Sequence, residues 1–493
     1  MVKKKEQEEI SSQEDGRTQP LLPPSEDHDK EDLPFTPTLL LSILAAACGC
    51  LSTGCIVGYS SPVEYQIIEE LGLSVQEYSF FGSMMIVGGL VGSIVGGKIT
   101  ELIGRKRMML GLGGLFIVGW LTIATAEGAL QLDFGRLLLG IGSSITLYLA
   151  PVYVAEITPK NLRGAAVSVT QLTMVCSISF TFLVGSFINW RALALIGTIP
   201  GLVQLVLTFF IPESPRWLAK TGREKEFEAA LLQLRGGNAD ISWEVDEIKE
   251  YTKIIHSISK DSSIFDLFQK QYAIPLIVGN GLMVLQQFSG LNSYTLYTGA
   301  IFVSAGIPNT AGFLTVASFQ LVGTVLTAAL MDRYGRRPLL QAAVIGTCFG
   351  SLLTALSFIL QGFEGWSKVT PTLALLSVLI YSGSMSVGNG IPWIIVAEIF
   401  PLNIKGSAGT MCCLSYNVSS LMVSFSFQSL LQWSPPGKLI WRHSCFVKIH
   451  MHTRIECQQI PEKFRLVTFL IRYFLAICKC KCRGNRVCCQ VGS

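Results

Sequence analysis

Six carboxamides, Gln171, Gln286, Gln287, Asn292, Gln320 and Asn389, interrupt otherwise apolar stretches of the chain. A carboxamide donates and accepts hydrogen bonds without the desolvation cost of a charge. Such groups suit a neutral ligand whose hydroxyls also do both. Trp393 adds an aromatic face and one N–H donor, fit for a C–H surface. Gln286 and Gln287 lie about 100° apart on a helix, and Gln286, Asn292 and Ser293 fall within roughly two turns. For each amide a plainer reading stands beside this one, a hydrogen bond between membrane helices. Asp133 and Arg136 form a second constellation, one helical turn apart. An ionisable pair inside a membrane suggests proton exchange, or simply a mutual salt bridge. Residues 48–59 of the first apolar window hold no carboxylate. No nucleophile–base pair or metal-ligand cluster is evident, so no enzyme, metal or cofactor is expected.

The elements that position these groups follow from composition. Of 493 residues, 15% are charged, against about 25% in a soluble domain. The charges are also clustered: residues 1–32 hold 15, residues 213–272 hold 20 and residues 438–493 hold 13. Two nearly uncharged blocks flanking a charged insert imply an all-α polytopic membrane protein, and exclude a nucleic-acid binder or a secreted disulfide scaffold. Windows of the ~20 apolar residues needed for a span run near 37–59, 78–98, 108–126, 130–153, 165–188 and 192–211. After the insert come 273–297, 311–331, 338–361, 371–397 and 407–431. Lys and Arg in alternate loops place the N-terminus and the insert in the cytoplasm. The organisation expected is a disordered segment 1–36, a six-helix half 37–211, a helical insert 212–272, a second half 273–437 with five clear spans, and a basic, Cys-rich tail 438–493.

The halves repeat. Ala155-Glu156-Ile157, Pro159, Arg163 and Gly164 return as Ala397-Glu398-Ile399, Pro401, Lys405 and Gly406, each shifted by 242. Gly104-Arg105 returns as Gly335-Arg336. A parallel repeat of two six-helix halves is the logic of the major facilitator fold, with the substrate held near the midplane. With Gly97–Lys106, Asp332–Arg337, Pro212-Glu213-Ser214-Pro215-Arg216-Trp217, Gln286–Asn292 and Pro392-Trp393, the chain resembles the sugar porter family of major facilitators. The acidic N-terminus and Gly58-Tyr59-Ser60-Ser61-Pro62 are similar to the plant ERD-six-like monosaccharide transporters.

That resemblance implies transport of a monosaccharide, a hexose, by alternating access across a lipid bilayer. It implies substrate binding by Gln171, Gln286, Gln287, Asn292, Gln320 and Trp393. It implies a cytoplasmic gating network of Arg105, Glu156, Arg163, Glu213 and Arg216 with Arg336, Glu398 and Lys405. Proton-driven relatives place a carboxylate in the first span; its absence here favours facilitated diffusion over proton symport, with Asp133 and Arg136 the candidate coupling pair. The vacuolar membrane is expected, the plasma membrane being the alternative. Two departures stand out. Tyr416 and Asn417 occupy positions where relatives place Asn and then Trp. A twelfth span is missing, since Phe464–Ile477 is too short and carries Arg465 and Arg472. The alternative is therefore a truncated, non-transporting or regulatory variant.

Overall fold

The computed structural model describes residues 36–159, 162–237, 239–259, 272–289, 302, 306, 309–360, 369–388, 390–400 and 405–433. The N-terminal segment, Asn292, Asn389 and the basic tail, with the question of a twelfth span, lie outside these residues.

Six long helices come first: α1 (Pro37–Leu71), α2 (Val75–Ile103), α3 (Arg105–Ala124), α4 (Ala129–Ile157), α5 (Arg163–Gly185) and α6 (Trp190–Phe210). Their ends carry the expected local chemistry. The Thr36 hydroxyl accepts from Leu39 N at 3.2 Å to cap α1, and donates to the Leu234 carbonyl at 2.7 Å. Ser74 and Glu77 form a capping box on α2, which satisfies two otherwise orphaned N–H groups. The insert supplies α7 (Pro215–Lys220), α8 (Glu224–Arg235) and α9 (Ser242–Ser259), packed around Trp217, Phe227, Leu231 and Ile248. The second series is α10 (Ala273–Phe288), α11 (Asn309–Tyr334), α12 (Arg336–Leu360), α13 (Thr370–Gly388), α14 (Ile391–Ile399) and α15 (Lys405–Trp433).

Seven described helices are long and apolar enough to cross a membrane. The polarity of the bundle is that of a protein dissolved in lipid. On α6, Leu195, Ile199, Leu202, Val206 and Phe209 face outward, while Gln204 and Thr208 are buried. Helix spacing of the outward set makes one stripe. Burial of polar side chains under an apolar coat is the arrangement hydrocarbon selects.

Glycines allow the close helix contacts such bundles rely on. An added Cβ at Gly92 of α2 would stand 2.6 Å from the Ile141 carbonyl oxygen of α4, and one at Gly96 would stand 2.5 Å from Ile145. The neighbouring face of α2 also carries glycines, but meets α15 more loosely: a Cβ at Gly97 would lie 3.3 Å from Thr410 Oγ1. In the first series α1 packs on α5 and α2 on α4; in the second, α10 packs on α15 and α11 on α13. The same pairing recurs at equivalent positions. The series meet through α2 with α15 and α5 with α11. Asn417 Nδ2 donates to Ser93 Oγ at 2.7 Å across the first of these contacts. Phe182 and Phe313, with ring centroids 5.1 Å apart, close the second.

One expectation is corrected. The first apolar window does not end at 59: α1 continues to Leu71 through Pro62. Proline is tolerated inside membrane helices that neighbours support, and here side chains of two other helices bond α1 close by: Arg136 Nη1 donates to the Ile56 carbonyl at 2.8 Å and the Tyr78 hydroxyl to that of Ser60 at 2.5 Å. Glu64, Glu69 and Glu70 are therefore helical. α13 is described to Gly388 and α14 from Ile391, with Pro392 in its first turn; Asn389 between them lies outside the described residues, and Thr370–Trp393 is long and apolar enough for one span.

Candidate functional site

Gln286 and Gln287 stand at the end of α10, 6% and 1% exposed. α10 packs against α14 and α15, which bring Trp393 and Tyr416 beside it. The Trp393 and Tyr416 rings meet at 5.3 Å and 57°. The Tyr416 hydroxyl lies against the Gln287 carboxamide, close enough to share a hydrogen bond. Polar contacts fix these helices to one another. Ser415 Oγ donates to Asn280 Oδ1 at 2.7 Å, and the Tyr381 hydroxyl donates to the Ser289 carbonyl at 3.0 Å. The result is a half-buried patch with an aromatic wall and amide edges, the chemistry a polyhydroxylated ring requires.

The other amides are placed differently. Gln320 Nε2 donates to Ser382 Oγ at 2.8 Å, the interhelical bond of the plainer reading, while its buried Oε1 has no protein partner. Gln171 is half-buried on α5, and no hydrogen bond to its side chain is found among the described residues. The described contacts join Gln287, Trp393 and Tyr416, and do not bring Gln171 or Gln320 to them.

The ionic network sits where α2, α3 and α4 meet the insert. Arg105, 6% exposed at its side chain, donates from Nε and Nη2 to the two oxygens of Glu156, both at 3.0 Å, and from Nη2 to Glu101 at 3.0 Å. This bidentate fork is the strongest geometry an arginine offers a carboxylate. Ser214 Oγ donates to Glu156 at 2.6 Å, and Lys220 pairs with Glu101 at 2.5 Å. Glu213 has another task. Gly104, at φ +96°, offers no side chain to cap α3, and the Glu213 carboxylate accepts from Arg105 N (2.9 Å), Lys106 N (3.0 Å) and Ser214 N (2.9 Å). Burial pushes the Glu213 carboxyl above its usual range, against the opposing pull of these three amides and Arg105. Arg235, paired with Glu244 at 2.7 Å, donates to the Ile157 carbonyl at 2.9 Å, placing a cation at the C-terminus of α4, where the helix dipole favours one.

Arg216 lies over the Tyr251 ring at 5.6 Å, and the buried Nε of Arg163 has no protein partner. Neither arginine forms an ion pair with a described residue. Arg336 and Lys405 open α12 and α15, and Glu398 lies in α14; their side chains are outside the description. From sequence, Glu101, Lys220, Ser214 and Arg235 receive no role in this network. Glu101 and Ser214 stand inside the Gly97–Lys106 and Pro212–Trp217 motifs, and Glu101 also has i, i+4 spacing to Arg105; Lys220 and Arg235 carry no such signal.

Asp133 and Arg136 do not form the salt bridge their spacing suggested. Arg136, 1% exposed, is instead drawn to α1, where it bonds the Ile56 carbonyl and the Ser60 hydroxyl. Its guanidinium also stacks 5.1 Å from the Phe81 ring centroid. Asp133 Oδ1 is buried without a hydrogen-bond partner among the described residues, as is Glu64 Oε2 on α1. The first helix thus does carry a buried carboxylate, one turn beyond Ser60.

A lipid-exposed bundle with repeated helix pairing, buried polar groups and a charged collar at one end is an integral, multi-pass membrane protein of the major facilitator fold. The solved partially occluded, inward-open xylose transporter XylE of E. coli superposes with a TM-score of 0.71, at 22% identity, covering 87% of this chain and 99% of that one. The sequence profile of the sugar (and other) transporter family matches residues 28–449, and the chain belongs to that family. It is 46% identical over 408 residues to "Sugar transporter ERD6-like 15" of Arabidopsis thaliana, covering 82% of this chain and 85% of the relative. It is 42% identical to "Sugar transporter ESL1" of the same plant, covering 84% and 88%.

Proposed function

We propose that this protein carries a monosaccharide, a hexose, across its membrane by alternating access and facilitated diffusion. The observation that carries the reading is the patch of Gln286, Gln287 and Trp393 on two packed helices, in a chain whose relatives are named sugar transporters. Gln171, Asn292 and Gln320 are proposed to complete the binding set, although the described contacts do not bring Gln171 or Gln320 to the patch. The insert and N-terminus face the cytoplasm, as the Lys and Arg of alternate loops require, and the vacuolar membrane is the favoured location. Arg105, Glu156, Arg163, Glu213 and Arg216 act with Arg336, Glu398 and Lys405 as the inner gate. The halves 37–211 and 273–437 rock about the site, joined by the insert 212–272.

Uniport is supported by the surroundings of Arg136. Arg136 bonds a carbonyl and a hydroxyl and, among the described residues, no carboxylate whose protonation would release it. Asp133 and Glu64 favour a second reading, proton symport, because each has a buried oxygen available to a proton. Uptake of radiolabelled hexose into proteoliposomes carrying a pH-sensitive dye separates the two. Saturable uptake without lumenal acidification is expected, unchanged by Asp133→Asn or Glu64→Gln. Sugar-driven acidification abolished by either variant establishes symport instead. No saturable uptake of any monosaccharide removes the transport reading.

A further inference from the structure

We propose that Phe182, Phe302 and Phe313 form an apolar latch between the two series, and that these rings must part for the bundle to open at the end opposite the ionic collar. The proposal rests on the alternating-access reading above. α5 starts at the collar with Arg163 and carries Phe182 in its last turn, about 28 Å away at the rise of a helix. There the Phe182 ring meets Phe313, near the start of α11, with centroids 5.1 Å apart. Phe313 in turn takes Phe302 edge-on at 5.7 Å and 77°. All three rings are buried, packed with Val316 and Val378. α11 is shaped to receive Phe302, since a Cβ added at Gly312 would overlap its ring. One turn nearer the collar, Ser179 Oγ donates to the Ala317 carbonyl at 3.2 Å.

The facing flanks open from that point. On α5, Gln171 and Leu172 are half-buried and Ser168, nearly four turns before Phe182 and so on the same flank, is exposed. On α11, Leu321 lies one turn past Ala317 and is exposed too. Arg163, at the collar end of α5, keeps a buried Nε without a protein partner among the described residues. Two helices that grip at one end and loosen toward the other hold one of the two states a rocking bundle must visit. To reach the other state they separate where the rings now meet. Parting the latch wets three aromatic faces, a cost proportional to the apolar area exposed. The resting balance is therefore tilted toward the state closed at the latch, and the tilt is written in ring contacts rather than in charge.

The test uses the full chain. Hydrogen exchange of the detergent-purified protein is read on peptides covering residues 176–185 and 311–317 at the latch, and 100–108 and 150–158 at the collar. Phe182→Ala and Phe313→Ala should each raise the latch-open population about two- to tenfold, as for one lost aromatic pair. Exchange should quicken at the latch and slow at the collar, the reciprocal pattern of a population shift. Phe182→Leu serves where an alanine variant does not fold by size-exclusion chromatography, with a smaller shift in the same direction. Exchange that quickens at both ends, as in simple loosening, or changes at neither overturns the proposal. A second arm joins Phe182→Cys to Phe313→Cys by oxidation, or by a short bis-methanethiosulfonate where no disulfide forms. Hexose uptake into proteoliposomes should stop in the joined protein and return on reduction, measured against wild type given the same treatment. Undiminished uptake by the joined protein overturns the latch alone. A wild type without uptake of any monosaccharide removes the transport reading, and the exchange pattern then decides the latch by itself.

Discussion

Replacing Glu213 tests whether a carboxylate from outside the helix is what starts α3. Alanine at this position strips the acceptor from the backbone N–H groups of Arg105, Lys106 and Ser214. Loss of a helix cap costs about 0.5–2 kcal/mol, and a donor left buried without an acceptor costs about 1–3 kcal/mol. A loss of about 2–3 kcal/mol is expected for Glu213→Ala. Glutamine keeps one acceptor oxygen in place and discards the charge. Because burial holds the carboxyl above its ordinary value of 4.5, the ionised form is the disfavoured one here, and Glu213→Gln should fall within about 1 kcal/mol of wild type. The sign with pH follows from linkage. An acid whose folded-state value is raised binds its proton more tightly when folded. Its contribution is complete below the unfolded value and lost as pH climbs through the raised one. Wild type should thus lose ground against the glutamine variant as pH rises from about 4.5 into that window. Denaturant titration of the purified protein in detergent micelles measures the differences, and hydrogen exchange at the amides of residues 105 and 106 reads the cap directly. Equal stability of the alanine and glutamine variants, or unaltered exchange at those amides, would refute the capping role.

Glu156→Gln removes the carboxylate that Arg105 grips with two nitrogens; it should slow counterflow several-fold while equilibrium sugar binding, read by isothermal titration, largely survives. Loss of binding in a folded variant would count against a gating role. Gly92→Val drives a side chain into the Ile141 backbone, and should lower stability by about 1–3 kcal/mol or more in the same denaturant assay. Gly97→Ala, with its looser neighbour, should fold normally and change only the transport rate.

The apolar windows announced the helices because a bilayer imposes both length and composition on a span. The first window fell short because hydropathy alone does not mark where a helix ends: the chain turns polar beyond residue 59, with Glu64, Glu69 and Glu70, yet α1 continues through them to Leu71. At the collar, Arg105 and Glu156 were legible because each stands in a repeated motif. Lys220 and Arg235 were not, since surface-type charges far away in sequence acquire partners only when the insert docks. The Asp133–Arg136 spacing was misleading for a related reason: a guanidinium long enough to reach a neighbouring helix takes the carbonyl and hydroxyl it finds there. Tyr416 shows the limit most plainly. The sequence marks it only as a departure from the family pattern, and its ring contact with Trp393 comes from another helix.

The two glycine faces of α2 give that helix unequal attachments. Toward α4 the backbones are so close that no side chain fits between them, which welds α2 to its own series. Toward α15 the small residues leave a smooth track, crossed by the Asn417–Ser93 hydrogen bond. Interlocked side chains would have to climb over one another for the halves to move, and each step would add to the activation barrier. A smooth track fastened at a polar catch works instead as a bearing. Its friction is set in part by that exchangeable contact, so turnover would be tunable at Asn417 without rebuilding the fold.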